Sequence, residues 1–159
     1  MRTRVFPYSF HRGFTLLEII IVIGILGILL SVVMPSFMNF RRNSLLNVET
    51  MELMTLINRA RILAVSSKND QQFGVHLQAD KAVLFQGGTY NAGDVTNETH
   101  TFATGITLST IVINPGVSEI IFDKVTGATA NNATTTLLVT GTTASTTVLV
   151  YPTGIVTLY

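Results

Sequence analysis

Along this chain the spacing of apolar residues changes twice. From Phe14 to Met34 almost every position is apolar, with Thr15, Glu18, Gly24, Gly27 and Ser31 as the exceptions. These 21 positions, at about 1.5 Å per residue, make a helix of roughly 31 Å, the thickness of a bilayer core. From Phe37 to Val65 apolar residues recur at Phe37, Phe40, Val48, Met51, Met54, Ile57, Ala60, Ala64 and Val65, with arginine, asparagine and glutamate between them. That is a helical period with one apolar stripe. It predicts a single rod from Thr15 to about Ser67, roughly 80 Å long. Pro35 lacks an amide and crowds the preceding turn, which predicts a kink. The first half has lipid or sister helices for solvent; the second needs a sheet to cover its stripe.

The second change falls at Ser66-Ser67-Lys68-Asn69-Asp70, a cluster of turn residues, after which the period becomes two. Residues 73–77 and 82–85 read as a hairpin around 78–81, and residues 87–99 as a loop. Further strands are expected at 100–104, 107–113, 119–122, 135–140, 146–151 and 155–158. Gly105, Pro115-Gly116, Gly127, Gly141 and Pro152-Thr153-Gly154 punctuate them. The threonine-rich tract 126–147 contains core-like centres, Leu137-Leu138-Val139 among them, and no internal repeat is visible. The class is α+β: a long N-terminal helix, its first half transmembrane, packed on an antiparallel β-sheet domain.

Before the apolar run stands a short basic leader with Arg2, Arg4, His11 and Arg12. By the positive-inside rule these charges hold the leader in the cytoplasm and place the C-terminal domain outside. Glu18 is the one carboxylate within the anchor, and a carboxylate in lipid needs a partner. Nothing in the anchor supplies one. A cut after Gly13 would free an α-amino group on Phe14, able to meet the carboxylate of a neighbouring copy.

Gly13-Phe14-Thr15-Leu16-Leu17-Glu18 resembles the cleavage and methylation motif of type IV pilins and type II secretion pseudopilins. The resemblance implies a prepilin peptidase cutting between Gly13 and Phe14 and methylating the new amino group. It implies that Glu18 is the assembly glutamate. Gly27 and Pro35 fall where many members carry a glycine and a proline bracketing a helix stretch that can melt in the filament. An ordinary signal peptide has a shorter apolar region, no glutamate and a small-residue cleavage site, which SVVMPSF does not offer. A generic single-pass anchor satisfies the length test alone.

A looser resemblance, over about 100 residues, points to the GspH/FimT-type minor pseudopilins. It rests on the helix end Leu56–Ser67 followed by Val75-His76-Leu77. The strands Glu119–Phe122 with Asp123 and Gly127, Leu137–Val139, and Val148–Val150 with Gly154-Ile155-Val156 complete it. The terminal strand departs from that pattern in lacking the arginine those proteins often carry after the glycine. The resemblance implies a minor subunit that starts, or sits near the tip of, a short periplasmic filament serving protein secretion. Its alternatives are a major pilin forming the shaft for adhesion or motility, and a DNA-uptake subunit.

Charge bears on the last of these. Losing Arg2, Arg4 and Arg12 with residues 1–13 takes 10 lysines and arginines to 7, against 9 acidic residues, a net of −2. Beyond Lys81 the one lysine or arginine is Lys124, so phosphate contacts would be few. There are no cysteines, so the exported domain holds its fold by packing alone or with a metal, without the disulfide of many major pilins.

No catalytic constellation stands out, and a hydrolase would need a nucleophile with its base and orienter. His76 and His100 lie in expected strands without metal-ligand spacing and read as packed or solvated. Asp94 and Glu98 in the 87–99 loop are two carboxylates without the rest of a calcium set. Arg41-Arg42 lies just past the anchor, suited to acidic head groups, a neighbour's carboxylate or plain solvation.

The reading is therefore a structural subunit with no enzymatic activity, metal or cofactor. Its divisions are a removed leader 1–13, a transmembrane assembly helix 14–35, an amphipathic helix 36–67 and a β-rich domain 68–159. Its expected partners are other pilins or pseudopilins, prepilin peptidase and an inner-membrane assembly platform; nucleic acid is not among them. A solitary anchored binding module is the non-filament alternative.

Overall fold

The computed structural model describes residues 13–113, 116, 118–130 and 132–159, the side chain of Pro35 excepted. The leader residues Arg2, Arg4, His11 and Arg12 lie outside the described residues. The chain divides into two compact units at Asn39/Phe40, and each is described by itself.

One helix, α1 (Leu16–Val65), runs through both units. Its 50 residues correspond to about 75 Å. Helical assignment continues through position 35 without a break. Proline leaves the Ser31 carbonyl without its usual i+4 donor, while the Ser31 hydroxyl turns back to donate to the Ile28 carbonyl at 2.7 Å. In the first unit every apolar side chain from Leu16 to Met34 that can be described is exposed.

In the second unit α1 buries one stripe: Leu46, Glu49, Thr50, Leu53, Ile57, Ala60 and Ala64. The i, i+3, i+4 spacing of these positions is the amphipathic pattern expected of a helix on a sheet. After a 3-10 turn (Lys68–Asp70) come eight strands. They are β1 (Phe73–Leu77), β2 (Lys81–Gln86), β3 (Glu98–Thr101), β4 (Ile106–Ile113), β5 (Glu119–Phe122), β6 (Ala133–Val139), β7 (Ser145–Val150) and β8 (Val156–Leu158).

The antiparallel sheet of the sequence reading is in fact two four-stranded sheets, in the orders β3-β2-β1-β5 and β4-β6-β7-β8. All pairings are antiparallel. Alternation of apolar residues tells which face a strand buries but not which strand it meets. Here β5 returns past β4 to pair with β1, Phe122 opposite Phe73, while β6 pairs back onto β4. The chain passes between the sheets three times, after β3, β4 and β5, and both sheets close on one core. Val75, Leu77, Ile120 and Phe122 from one sheet and Leu137, Val139, Val148 and Val150 from the other share it with the helix stripe.

Where the expected loop 87–99 ends, β3 begins at Glu98, two residues before the expected strand at 100. Its sequence, ETHT, is polar and forms a sheet edge, so no alternation announces it. The threonine tract does contain strand: β6 alternates buried Ala133, Thr135, Leu137 and Val139 with half-buried neighbours. Opposite residues Thr136 and Thr147 share a hydroxyl hydrogen bond at 3.0 Å.

Two polar side chains of α1, Glu49 and Arg61, tie the helix to the rest of the domain. Buried Glu49 receives the backbone N–H of Ala103 at 3.2 Å and pairs with His100 Nε2 at 2.8 Å. Near the helix end, Arg61 donates from Nε to the Gly127 carbonyl at 3.3 Å and from Nη2 to the Thr153 carbonyl at 3.5 Å. The Val125 amide donates to the Ala64 carbonyl at 3.2 Å, capping the last turn.

That corner leaves no room at Gly154, whose φ is +77° and whose missing Cβ would run into the Gly127 carbonyl oxygen and Arg61 Nε. Gly154→Ala is expected to destabilise by about 3 kcal/mol, combining roughly 1–2 for left-handed backbone with roughly 1–3 for overlap. Thr153→Ala keeps its carbonyl and should change little. Urea unfolding of the detergent-solubilised chain checks both; equal stability for Gly154→Ala would contradict the packing described.

Candidate functional site

The start of α1 is set by Thr15. Its hydroxyl accepts the Glu18 amide at 3.2 Å and its carbonyl accepts the Ile19 amide at 3.3 Å. Thr15 is thus the N-cap, Leu16 the first helical residue and Glu18 the third. A threonine followed three residues later by a glutamate is the capping-box pattern. The sequence carried that signal beside the recognised motif, and it places Glu18 in the first turn, where backbone dipoles favour an anion.

Gly13 and Phe14 precede the helix in irregular, exposed chain, Phe14 being 79 % exposed. Their peptide bond is therefore open to another molecule. A Cβ at Gly13 would meet nothing within 4 Å, and the same holds at Gly24 and Gly27. Packing within this chain thus does not require glycine at these three positions. Glu18 has no side-chain partner among the described residues. Gly27 sits mid-helix on an exposed surface, and Pro35 eight residues further along the same helix. The structure does not bring Gly13, Phe14, Glu18, Gly27 and Pro35 into a pocket; it strings them along one exposed helix and its entry.

The carboxylates weighed for calcium are occupied in other ways. Asp94 accepts from the Thr96 amide and hydroxyl, each at 2.8 Å, which holds its pKa below the usual carboxylate value. Glu98 pairs with Arg59 of α1 at 2.6 Å. Among the described residues no group of three or more His, Cys, Asp or Glu is placed to hold a metal. Lys124, the lone lysine or arginine after Lys81, is paired with Asp70 at 2.8 Å.

Residues 9–34 match the family described as the prokaryotic N-terminal methylation motif. The solved structure of the minor pseudopilin EpsH, from the type 2 secretion system of Vibrio cholerae, resembles this chain with a TM-score of 0.54 and 15 % identity. The likeness covers 72 % of this chain and 95 % of that one. No curated protein matches. The fold, one long N-terminal helix followed by antiparallel sheets, is pilin-like. The family match covers the helix start, and the structural likeness covers the fold.

His76 sits in a perturbed environment among the strands. It lies on β1 opposite Glu119 of β5, its ring stacked on Tyr90 with centroids 4.1 Å apart. Gln78 Nε2 lies 3.1 Å from Nε2, so with the amide donating the ring proton belongs on Nδ1, 3.6 Å from the Glu119 carboxylate. Burial pushes the imidazole pKa below 6.5, Lys81 adds to this, and Glu119 opposes it. The unfolded chain therefore takes up this proton first as pH falls. This contribution to stability is complete above about pH 6.5 and is lost as pH drops through the lower folded value. Unfolding free energy is expected to decrease from pH 7 to 5, and His76→Gln to flatten that slope. An unchanged slope in the variant would show that burial of the ring is not its source.

Proposed function

We propose that this chain is a minor pseudopilin: a non-enzymatic subunit of a type II secretion filament, acting in initiation or at the tip. The observation that carries the reading is the exposed helix start, where a cleavable Gly13–Phe14 bond, the Thr15 cap and Glu18 precede some 31 Å of apolar surface.

In this reading prepilin peptidase hydrolyses the Gly13–Phe14 bond and methylates the freed amine. Glycine is wanted at Gly13 because the peptidase must reach the backbone, since nothing in this chain crowds the position. The anchor holds the subunit in the inner membrane as a single pass, with the C-terminal domain periplasmic. Extraction into the filament exchanges lipid for neighbouring apolar helices, a transfer that changes little in hydrophobic free energy. Small residues at Gly24 and Gly27 let those helices approach closely. Gly27 and Pro35 bracket the stretch whose helical hydrogen bonds are easiest to release.

Glu18 sets the register. Removed from water without a partner, its carboxylate is costly, and the amine on a neighbour's Phe14 is the cation the family motif supplies. Lys124, tied to Asp70, leaves little basic surface after Lys81 for DNA capture. Assembly partners are the other pilin-type subunits and the inner-membrane platform.

Glu18→Ala is expected to be cleaved and held in the membrane normally while its filament-incorporated fraction falls sharply. Fractionation of sheared filaments against membranes measures this. Normal incorporation of Glu18→Ala would sink the register role.

A further inference from the structure

From Val125 to Tyr159 the chain has no aspartate, glutamate, lysine, arginine or histidine, whereas an average globular sequence is about one-quarter charged. This segment supplies three of the four strands of one sheet, and the fourth, β4, is uncharged as well. The other sheet carries Lys81, Glu98 and Glu119 on its strands, so β structure in this domain does not by itself exclude charge. Strand propensity accounts for threonine at solvent-facing positions. It does not account for a whole sheet without an ion, nor for two edge strands, β4 and β8, without the lysines that commonly guard an edge.

One face of this sheet lines the core, and strand register defines the other. Thr110 lies opposite Thr136, Thr136 lies opposite Thr147, and the Tyr159 amide donates to the Thr147 carbonyl at 2.9 Å. Four hydroxyl-bearing residues thus form a row across the strands, in steps of about 4.8 Å. Within the row the Thr136 and Thr147 hydroxyls are joined at 3.0 Å, a bond that orients both and leaves lone pairs and one proton unused. The neighbouring row runs Val112, Thr134, Leu149 and Thr157. Tyr151 follows, its amide donating to the Ile155 carbonyl. Tyr159 is 92 % exposed and Tyr151 47 %, so aromatic surface stands open beside the hydroxyls.

We propose that this face binds a neutral, β-linked polysaccharide lying across the strands along the threonine row. Such a chain is a flat ribbon that presents hydroxyls along its edges and C–H groups on its faces. Its hydroxyls meet the row step by step, and its C–H faces suit the tyrosine rings and the Val112 and Leu149 side chains. Neutrality of the partner follows from charge. An anionic polymer needs cations, and Lys124, the last lysine or arginine of the chain, is engaged with Asp70 at 2.8 Å. A protein partner with an apolar interface core would bury the threonine hydroxyls without new partners, a cost that a hydroxylated ligand avoids. The inference goes beyond the filament reading and stands without it.

The test is retention of the detergent-solubilised full-length chain on powdered cellulose and on chitin, with alginate beads as the anionic control. The unaltered chain should be held by at least one of the two neutral polymers, and added salt should not release it. Thr136→Val with Thr147→Val keeps the β-branched shape and removes both hydroxyls; retention should weaken about tenfold. Tyr159, bare of contacts with the core, can be removed without disturbing the fold, and Tyr159→Ala should weaken retention about threefold or more. Failure of the unaltered chain to bind either neutral polymer would overturn the proposal. So would undiminished retention of both variants, or salt-sensitive capture by alginate in place of the neutral polymers.

Discussion

Water is a poor solvent for the first half of α1, and most of the molecule's behaviour follows from that. Sixteen large apolar side chains between Phe14 and Met34 stand about half exposed or more. At roughly 1.5–3 kcal/mol for each fully buried side chain, leaving them half in water forgoes on the order of 20 kcal/mol. That exceeds the roughly 5–15 kcal/mol by which an ordinary domain is stable. The segment therefore needs a cover, which in the proposed reading is lipid before assembly and neighbouring helices after it. In the proposed reading the one carboxylate near the head of this segment serves as a register mark, because any arrangement that leaves it unpaired is penalised.

The second half of the same helix answers a different demand. It covers the core with a narrow stripe and adds polar anchors where apolar contact gives no direction. Glu49 is the clearest case: a buried acid is costly unless satisfied, and here the Ala103 amide and His100 satisfy it. Arg61 plays the corresponding part at the far end through two backbone carbonyls. These contacts fix the rotation of the helix on its sheets. That rotation decides which residues of the helix face outward.

The fold was legible in the sequence to the extent that one period determines one element. The change from near-continuous apolarity to a stripe and then to alternation marks out α1 and the strands within a few residues, as the Leu137–Val139 and Val148–Val150 centres illustrate. Partner choice was not legible. Nothing local in Glu119–Phe122 says that it crosses back to β1, because that pairing depends on the closed core of two sheets. The start of the polar edge strand at Glu98, two residues before the expected strand, and the His76–Tyr90 stack were hidden for the same reason, since their partners lie elsewhere in the fold. At the functional end the motif around Gly13 and Glu18 was plain. The Thr15 cap was overlooked, although Thr-x-x-Glu is itself a local signal.

The central claim is that the chain functions as a helix released at Phe14. The most direct test is the intact mass of the protein purified from its native host. A chain that starts at Phe14 and carries one methyl group on its amine is the predicted result. An uncut chain beginning at Met1 and present at normal level would leave Glu18 without the amine of a neighbour, and would contradict the account.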